Sequence, residues 1–265
     1  MNSRFVAFVA VAVFLCVIGN SCSKKNEVRT LQGGAMGTTW RLEWRGDSAP
    51  GIESAVSRTL EKWEQVLSHW RPESDLSRYN NGEPATEELQ TVIELAESIG
   101  DATAGAFDFR LLKESSMAGF GPGGRGIDLS GIGKGYAVDR VGDVLLELGI
   151  NDFAFELGGE VLSRGGEWTV SIEKPDTAAR SIARTLVLKN QALATSGNYR
   201  QFKPVPGGLS SHILDPRTRE PIIRPACSVS VIARDCATAD AWATALFVLG
   251  PDVSGPASIE VSWQK

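Results

Sequence analysis

A mixed α+β fold, a mostly antiparallel sheet packed with helices, is what this sequence predicts, and three observations predict it. Past an apolar N-terminus, the first half of the chain carries apolar residues at helical spacing in two stretches. The second half carries short runs in which apolar and polar residues alternate. Between them lies a glycine-punctuated stretch at 127–140, IDLSGIGKGYAVDR, around which the rest is organised. The 265 residues are enough for one large domain or two small ones, with ample material for a core. A composition that is 42% hydrophobic and 22% charged is that of an ordinary globular protein. The net charge of -5 argues against a nucleic-acid partner.

Arg4 precedes an unbroken apolar run at 5–18, short for a membrane span but suited to the apolar core of a signal peptide. The run ends in Ile18-Gly19-Asn20-Ser21-Cys22, which resembles a bacterial lipoprotein signal. Residues 1–22 would then be removed or lipidated at Cys22, tethering a domain at 23–265 to a membrane without a spanning helix. An uncleaved anchor and plain secretion stay open. Cys227 and Cys236 remain, and either a disulfide or two buried thiols fits them.

Residues 35–44 read as a strand with an irregular start. Ile52, Val56, Leu60, Trp63 and Leu67 then share one helical face. The polar stretch 68–80 is a loop studded with aromatics, where Trp70 either stacks on a ligand ring or folds onto the core. A second helix runs from a Thr86 cap through Leu89, Val92, Ile93, Ala96 and Ile99 to Gly100. Small residues at 105–106 lead to Phe107 and Asp108.

In the central stretch, Ile127 and Leu129 alternate like a short strand. Gly131, Gly133 and Gly135 space a turn around Lys134, and a helix follows up to Gly149. The stretch reads equally as an anion cradle or as a plain glycine turn with a surface lysine. It matches neither GxxxxGK[ST] nor GxGxxG. Strands follow at 153–157, 168–172, 185–188, 192–195 and 228–233, with Gly158-Gly159 breaking the first. A final helix covers 237–249, with Asp240 and Thr244 four apart on one face. The segment 211–218 holds His212, one of two histidines in the chain.

Taken together, Met36-Gly37-Thr38 and the stretches 70–80, 105–108, 128–139, 156–160, 195–199, 211–216 and 239–250 resemble one family in order. It is that of the bacterial periplasmic flavin transferases, the FAD:protein FMN transferases or ApbE-like thiamine-biosynthesis lipoproteins. The resemblance implies a two-lobed domain with FAD in the cleft. It implies a Mg2+-dependent enzyme that splits FAD and passes FMN to a threonine or serine hydroxyl on an acceptor protein, a redox-pump subunit or another periplasmic flavoprotein, releasing AMP. By resemblance, Asp240, Thr244 and the Gly131 carbonyl hold the metal. Met36, Trp70, Ala106, Phe107, Asp108, Asp128, Lys134 and Ile213 contact the flavin nucleotide, and His212 is the general base. The implied location is the cell envelope, facing the periplasm from the inner membrane.

Three features depart from the family pattern. Segment 109–126 is short and glycine-rich, Arg219 stands where glycine is common, and the tail 252–265 is brief. The shortening points to a less covered site. Two other functions therefore stay open: an FAD pyrophosphatase giving FMN and AMP, and a flavin-binding lipoprotein without catalysis.

Overall fold

The computed structural model describes residues 27–265, so the signal segment and Cys22 lie outside the described residues. Seven strands form one sheet in the order β1 (Val28–Ala35), β2 (Thr38–Arg45), β3 (Phe153–Leu157), β4 (Glu160–Arg164), β7 (Ala192–Gly197), β11 (Ser228–Ala233) and β12 (Glu260–Gln264). Every neighbouring pair in it is antiparallel. The hairpin of β5 (Trp168–Glu173) and β6 (Ile182–Leu188) is a second sheet. The third has the order β10 (Glu220–Arg224), β9 (Gly208–Asp215), β8 (Phe202–Val205).

Strand alternation gives the main sheet two apolar faces. Trp40, Leu42, Phe153, Phe155, Leu162 and Ala194 point into the main core, under the helices. Ala154, Val161 and Leu193 point the other way, where the β5–β6 hairpin covers them with Trp168, Val170 and Ile172. The helical layer is built from α1 (Ile52–Leu67), α3 (Glu87–Ala102), α5 (Ser130–Glu147) and α6 (Cys236–Leu249), with α5 packed between α1 and α6. The apolar face expected of α1 is the face it buries, and Thr86 caps α3 by accepting from Leu89 N–H at 3.3 Å. Two short helices complete the chain: α2 (Asp75–Asn80), inside the expected polar loop, and α4 (Leu112–Met117), which leans on β9. Among the described residues no helix is long and apolar enough to cross a membrane. Cys227 and Cys236 are free and buried, so the thiol alternative holds.

Two local readings change. The irregular start at 35–37 is a hairpin turn: Met36 and Gly37 take φ of 50° and 70°, the two positive values that a tight turn between twisted strands requires, and β1 precedes it. At 127–129 there is no strand, and Gly131, Gly133 and Gly135 lie inside the first turns of α5 rather than in a turn before it. Gly135 serves close approach. A Cβ on Gly135 would sit 2.3 Å from the Cys236 carbonyl oxygen, so α5 and α6 cross at a distance that only glycine permits.

Candidate active site

The site residues gather at one end of the main sheet. The β1–β2 turn carrying Met36 lies beside the β3–β4 turn, where Gly158 N–H donates to the Thr39 carbonyl at 3.0 Å. Met36 N–H donates to Glu64 Oε2 at 3.0 Å, tying that turn to α1. Glu160 opens β4 directly after Gly158-Gly159. The β4–β7 register, Val161 opposite Leu193, runs on to bring Ser196 toward the same end. There Ser196 Oγ and Thr244 Oγ1 are 3.3 Å apart, linking β7 to α6.

The crossing of α5 and α6 sets the centre. Asp139, on α5, accepts from the N–H groups of Cys236 at 2.8 Å and Ala237 at 2.9 Å, which fixes the start of α6. One turn further along α6, Asp240 Oδ2 accepts from Gly135 N–H at 3.0 Å. In a regular helix that N–H points at the Gly131 carbonyl, so Asp240 and that carbonyl share one neighbourhood. A Cβ on Gly131 would lie 3.2 Å from Thr244 Oγ1 and 3.2 Å from the Phe107 ring. Gly131 therefore meets Asp240 and Thr244, which lie more than a hundred residues further along the chain.

Lys134 reaches across this group. Its Nζ is 3.0 Å from Glu160 Oε1 and 4.0 Å from Asp240 Oδ2. The lysine side chain keeps 31% exposure, while those of Glu160 and Asp240 keep 4% and 6%. Burial alone would discharge Lys134, but the Asp240 and Glu160 carboxylates hold it above its ordinary value. Burial pushes both carboxyl groups up, and Lys134 draws them back. Glu160 Oε2 is buried with no hydrogen-bond partner. Sequence reading gave Glu160 no role; an acid directly after a Gly-Gly strand break was the available signal.

A second group adjoins the first. His69 Nδ1 faces Asp128 Oδ1 at 3.1 Å, both side chains being largely buried, and Ser130 N–H donates to the same oxygen at 2.9 Å. Burial raises the Asp128 carboxyl, but these partners outweigh it and hold Asp128 below its ordinary value. The His69 ring lies 5.4 Å from that of Trp70, which is 51% exposed. His69 too went unassigned in the sequence, although a chain with two histidines made each worth placing.

His212 is half-buried on β9, and its Nδ1 is 3.2 Å from the Gln201 carbonyl. A ring nitrogen facing a carbonyl must carry the proton, so in the neutral ring Nε2 holds the lone pair. Burial pushes His212 below the ordinary imidazole value, the Gln201 carbonyl holds it up, and the charges of Lys134 and Asp128 reach it with opposite signs. Ile213 beside it is buried in the main core, as are Ala106 and Phe107, and the Phe107 ring lies against Gly131. Asp108 is partly exposed and held by Arg110, whose N–H donates to Asp108 Oδ1 at 2.9 Å.

Among the described residues no three His, Cys, Asp or Glu side chains gather as a metal cluster. The donors that do meet are of another kind: a carboxylate, a hydroxyl and a backbone carbonyl, all hard oxygens suited to Mg2+. One ammonium stands against two buried carboxylates, and one carboxylate oxygen has no partner. The residues present therefore fit a small divalent cation.

Comparison with known proteins shows what the chain is similar to. The family model described as ApbE family matches residues 36–126 and 121–260. A Vibrio cholerae protein named FAD:protein FMN transferase is 33% identical over 92% of this chain and 87% of its own. An Escherichia coli protein of the same name is 29% identical over 93% and 87%. The flavin transferase ApbE structure from Vibrio cholerae superposes with a TM-score of 0.74 at 30% identity, covering 85% of this chain and 88% of that one. The apo flavinyl transferase ApbE of Pseudomonas stutzeri gives 0.75 at 25% identity, covering 90% and 95%. Matched by the family model over most of its length, and 33% identical to a relative over 92% of it, the chain belongs to the ApbE family.

Proposed function

We propose that this protein is an FAD:protein FMN transferase, moving FMN from FAD to a serine or threonine hydroxyl of an acceptor protein and releasing AMP. The observation that carries the reading is the convergence of Lys134, Asp240, Glu160 and Thr244 with His212 within electrostatic reach, in a chain whose relatives bear that name. The reaction breaks the bond from the FMN phosphorus to the bridging oxygen of the pyrophosphate and forms one to the acceptor oxygen. AMP leaves with the bridging oxygen.

Each residue has work suited to its surroundings. His212, lowered by burial and neutral near pH 7, accepts the hydroxyl proton at Nε2 while Gln201 holds Nδ1. Lys134, kept charged and partly exposed, faces the pyrophosphate oxygens. Trp70 offers an open ring for stacking, Asp128, Asp108 and Met36 line the nucleotide, and Ala106, Phe107 and Ile213 form its floor. Asp240, Thr244 and the Gly131 carbonyl would hold Mg2+, which when bound neutralises charge on the phosphoryl oxygens. FAD would lie between the main sheet and the smaller β8–β10 sheet.

The proposal extends to location: residues 1–22 as a lipoprotein signal, Cys22 as the lipidated anchor, and the domain at 23–265 in the envelope facing the periplasm. The apolar run at 5–18 ending before Ser21-Cys22 supports it.

His212→Ala tests the catalytic reading. It is expected to slow transfer by roughly 10²–10⁴-fold while FAD affinity, read by flavin fluorescence, stays within about threefold. Equal loss of binding and rate would assign His212 to FAD binding instead.

A further inference from the structure

Segment 109–126 is fastened at three points to the sheet that carries His212. Arg219, at the β9–β10 turn, reaches Glu114 Oε1 through both Nε and Nη2, each at 2.9 Å. Arg219 takes φ of 62°, a conformation that glycine adopts freely and that costs another residue about 1 kcal/mol. Lys203 of β8 donates to the Ala118 carbonyl, and its ammonium also lies 4.9 Å above the Phe120 ring. Phe120 in turn meets the His212 ring edge-on, with centroids 6.4 Å apart and planes at 65°. Phe120 thus covers one side of the imidazole.

We propose that Phe120 is a positioning residue for His212: the strap 109–126, pinned by Arg219–Glu114 and by Lys203, presses this ring against the imidazole and holds it in the orientation that Gln201 sets. The inference rests on the reading of His212 as the base. The positive φ of Arg219 and its contact with Glu114 then have one explanation. The arginine accepts a strained backbone and in return ties down the strap at Glu114.

The cover explains the chemistry of the imidazole. Phe120 excludes water from one side of the ring, which favours the neutral, proton-accepting form. The charged groups around it come from four elements. Lys134 on α5 disfavours protonation, Asp128 before α5 favours it, and Lys203 on β8 sits across the Phe120 ring. On α4, Glu114 is engaged by Arg219, and on α6, Asp240 is engaged by Gly135 and Lys134. Truncating Phe120 removes only the Lys203 contact with its ring, and Lys203 keeps its bond to the Ala118 carbonyl, so the main effect of truncation is exposure of the imidazole.

The chain has two histidines, so the imidazole C–H resonances of untagged protein give two titration curves, assigned with the His212→Ala variant. In Phe120→Ala the His212 curve is expected to move up toward the ordinary value near 6.5, with that of His69 unmoved. The transfer rate should fall about tenfold at unchanged KM for FAD, because the base is misplaced rather than the substrate. Phe120→Leu, which keeps an apolar cover, should return the curve toward wild type, and Glu114→Ala should move it the same way as Phe120→Ala by a smaller amount. A folded Phe120→Ala protein with wild-type His212 titration overturns the positioning role. The titration does not depend on turnover. If His212→Ala transfers FMN normally while Phe120→Ala still shifts the curve, the general-base reading fails and the contact survives.

Discussion

Gly135→Ala is expected to remove on the order of 3 kcal/mol of stability or more, the upper end of what overpacking costs, and to disable the site with it. The added Cβ would fall 2.3 Å from the Cys236 carbonyl oxygen, 2.7 Å from its carbonyl carbon and 2.9 Å from the Ala237 Cα. All three are backbone atoms, so no side-chain rotation relieves the clash. The backbone there is pinned by Asp139 and by the Asp235 cap, whose Oδ1 accepts from Thr238 N–H at 2.8 Å. The two helices must separate, and Gly135 N–H leaves Asp240. Gly133→Ala is the control. Its Cβ would find Leu67 Cδ1 at 3.5 Å, an ordinary contact, while alanine gains up to about 1 kcal/mol in a helix. Urea denaturation of the two variants should show one large loss and one near-neutral change. Similar midpoints for both would contradict the close crossing of α5 and α6.

With Mg2+ held as proposed, Asp240→Ala should lower turnover by about 10⁴-fold or more, since a metal that neutralises phosphoryl charge is worth several kcal/mol of barrier. Alanine supplies no anionic oxygen, and it also frees Gly135 N–H and removes one of the two carboxylates facing Lys134. Thr244→Val should be milder, because threonine offers only a neutral oxygen that Ser196 also engages. Calorimetric titration with Mg2+ in the presence of FAD reads the metal directly. Undiminished Mg2+ affinity and turnover in Asp240→Ala would remove the metal from this place.

The parts of this structure that were legible in sequence are those with strong periodicity. Helix α1 carries its five spaced apolar residues, α3 its threonine cap, and β11 its alternating serines and valines, and all three formed where expected. Strands β1, β8, β10 and β12 were not legible, because they lie at sheet edges and mix polar residues, glycine or proline with few buried positions. Buried β4 escaped for a different reason: it follows a glycine pair that reads as an end, and its first residue is an acid. The glycines at 131–135 show a deeper limit. A glycine in a turn and a glycine at a helix crossing look alike in sequence, and only the Cys236 carbonyl beside Gly135 tells them apart.

The site divides in the same way. Lys134, Asp240, Thr244 and Gly131 were identified through motif order, and the fold brings them together. Glu160 and His69 were missed because their importance lies in partners 26 and 59 residues away, Lys134 and Asp128. Phe120 was invisible for the same reason, its relation to His212 being created by the packing of the strap.

The central claim is that this site carries FMN from FAD to a protein hydroxyl, and product analysis tests it most directly. Mature protein is incubated with FAD and Mg2+, with and without an acceptor protein carrying an accessible threonine or serine, and the nucleotides and the acceptor mass are measured. The account predicts AMP in equal amount to acceptor-bound FMN, with slow release of free FMN and AMP when the acceptor is absent, since Lys134 and His212 are both open in part to water. Tight FAD binding with neither AMP nor a flavinylated acceptor would contradict it.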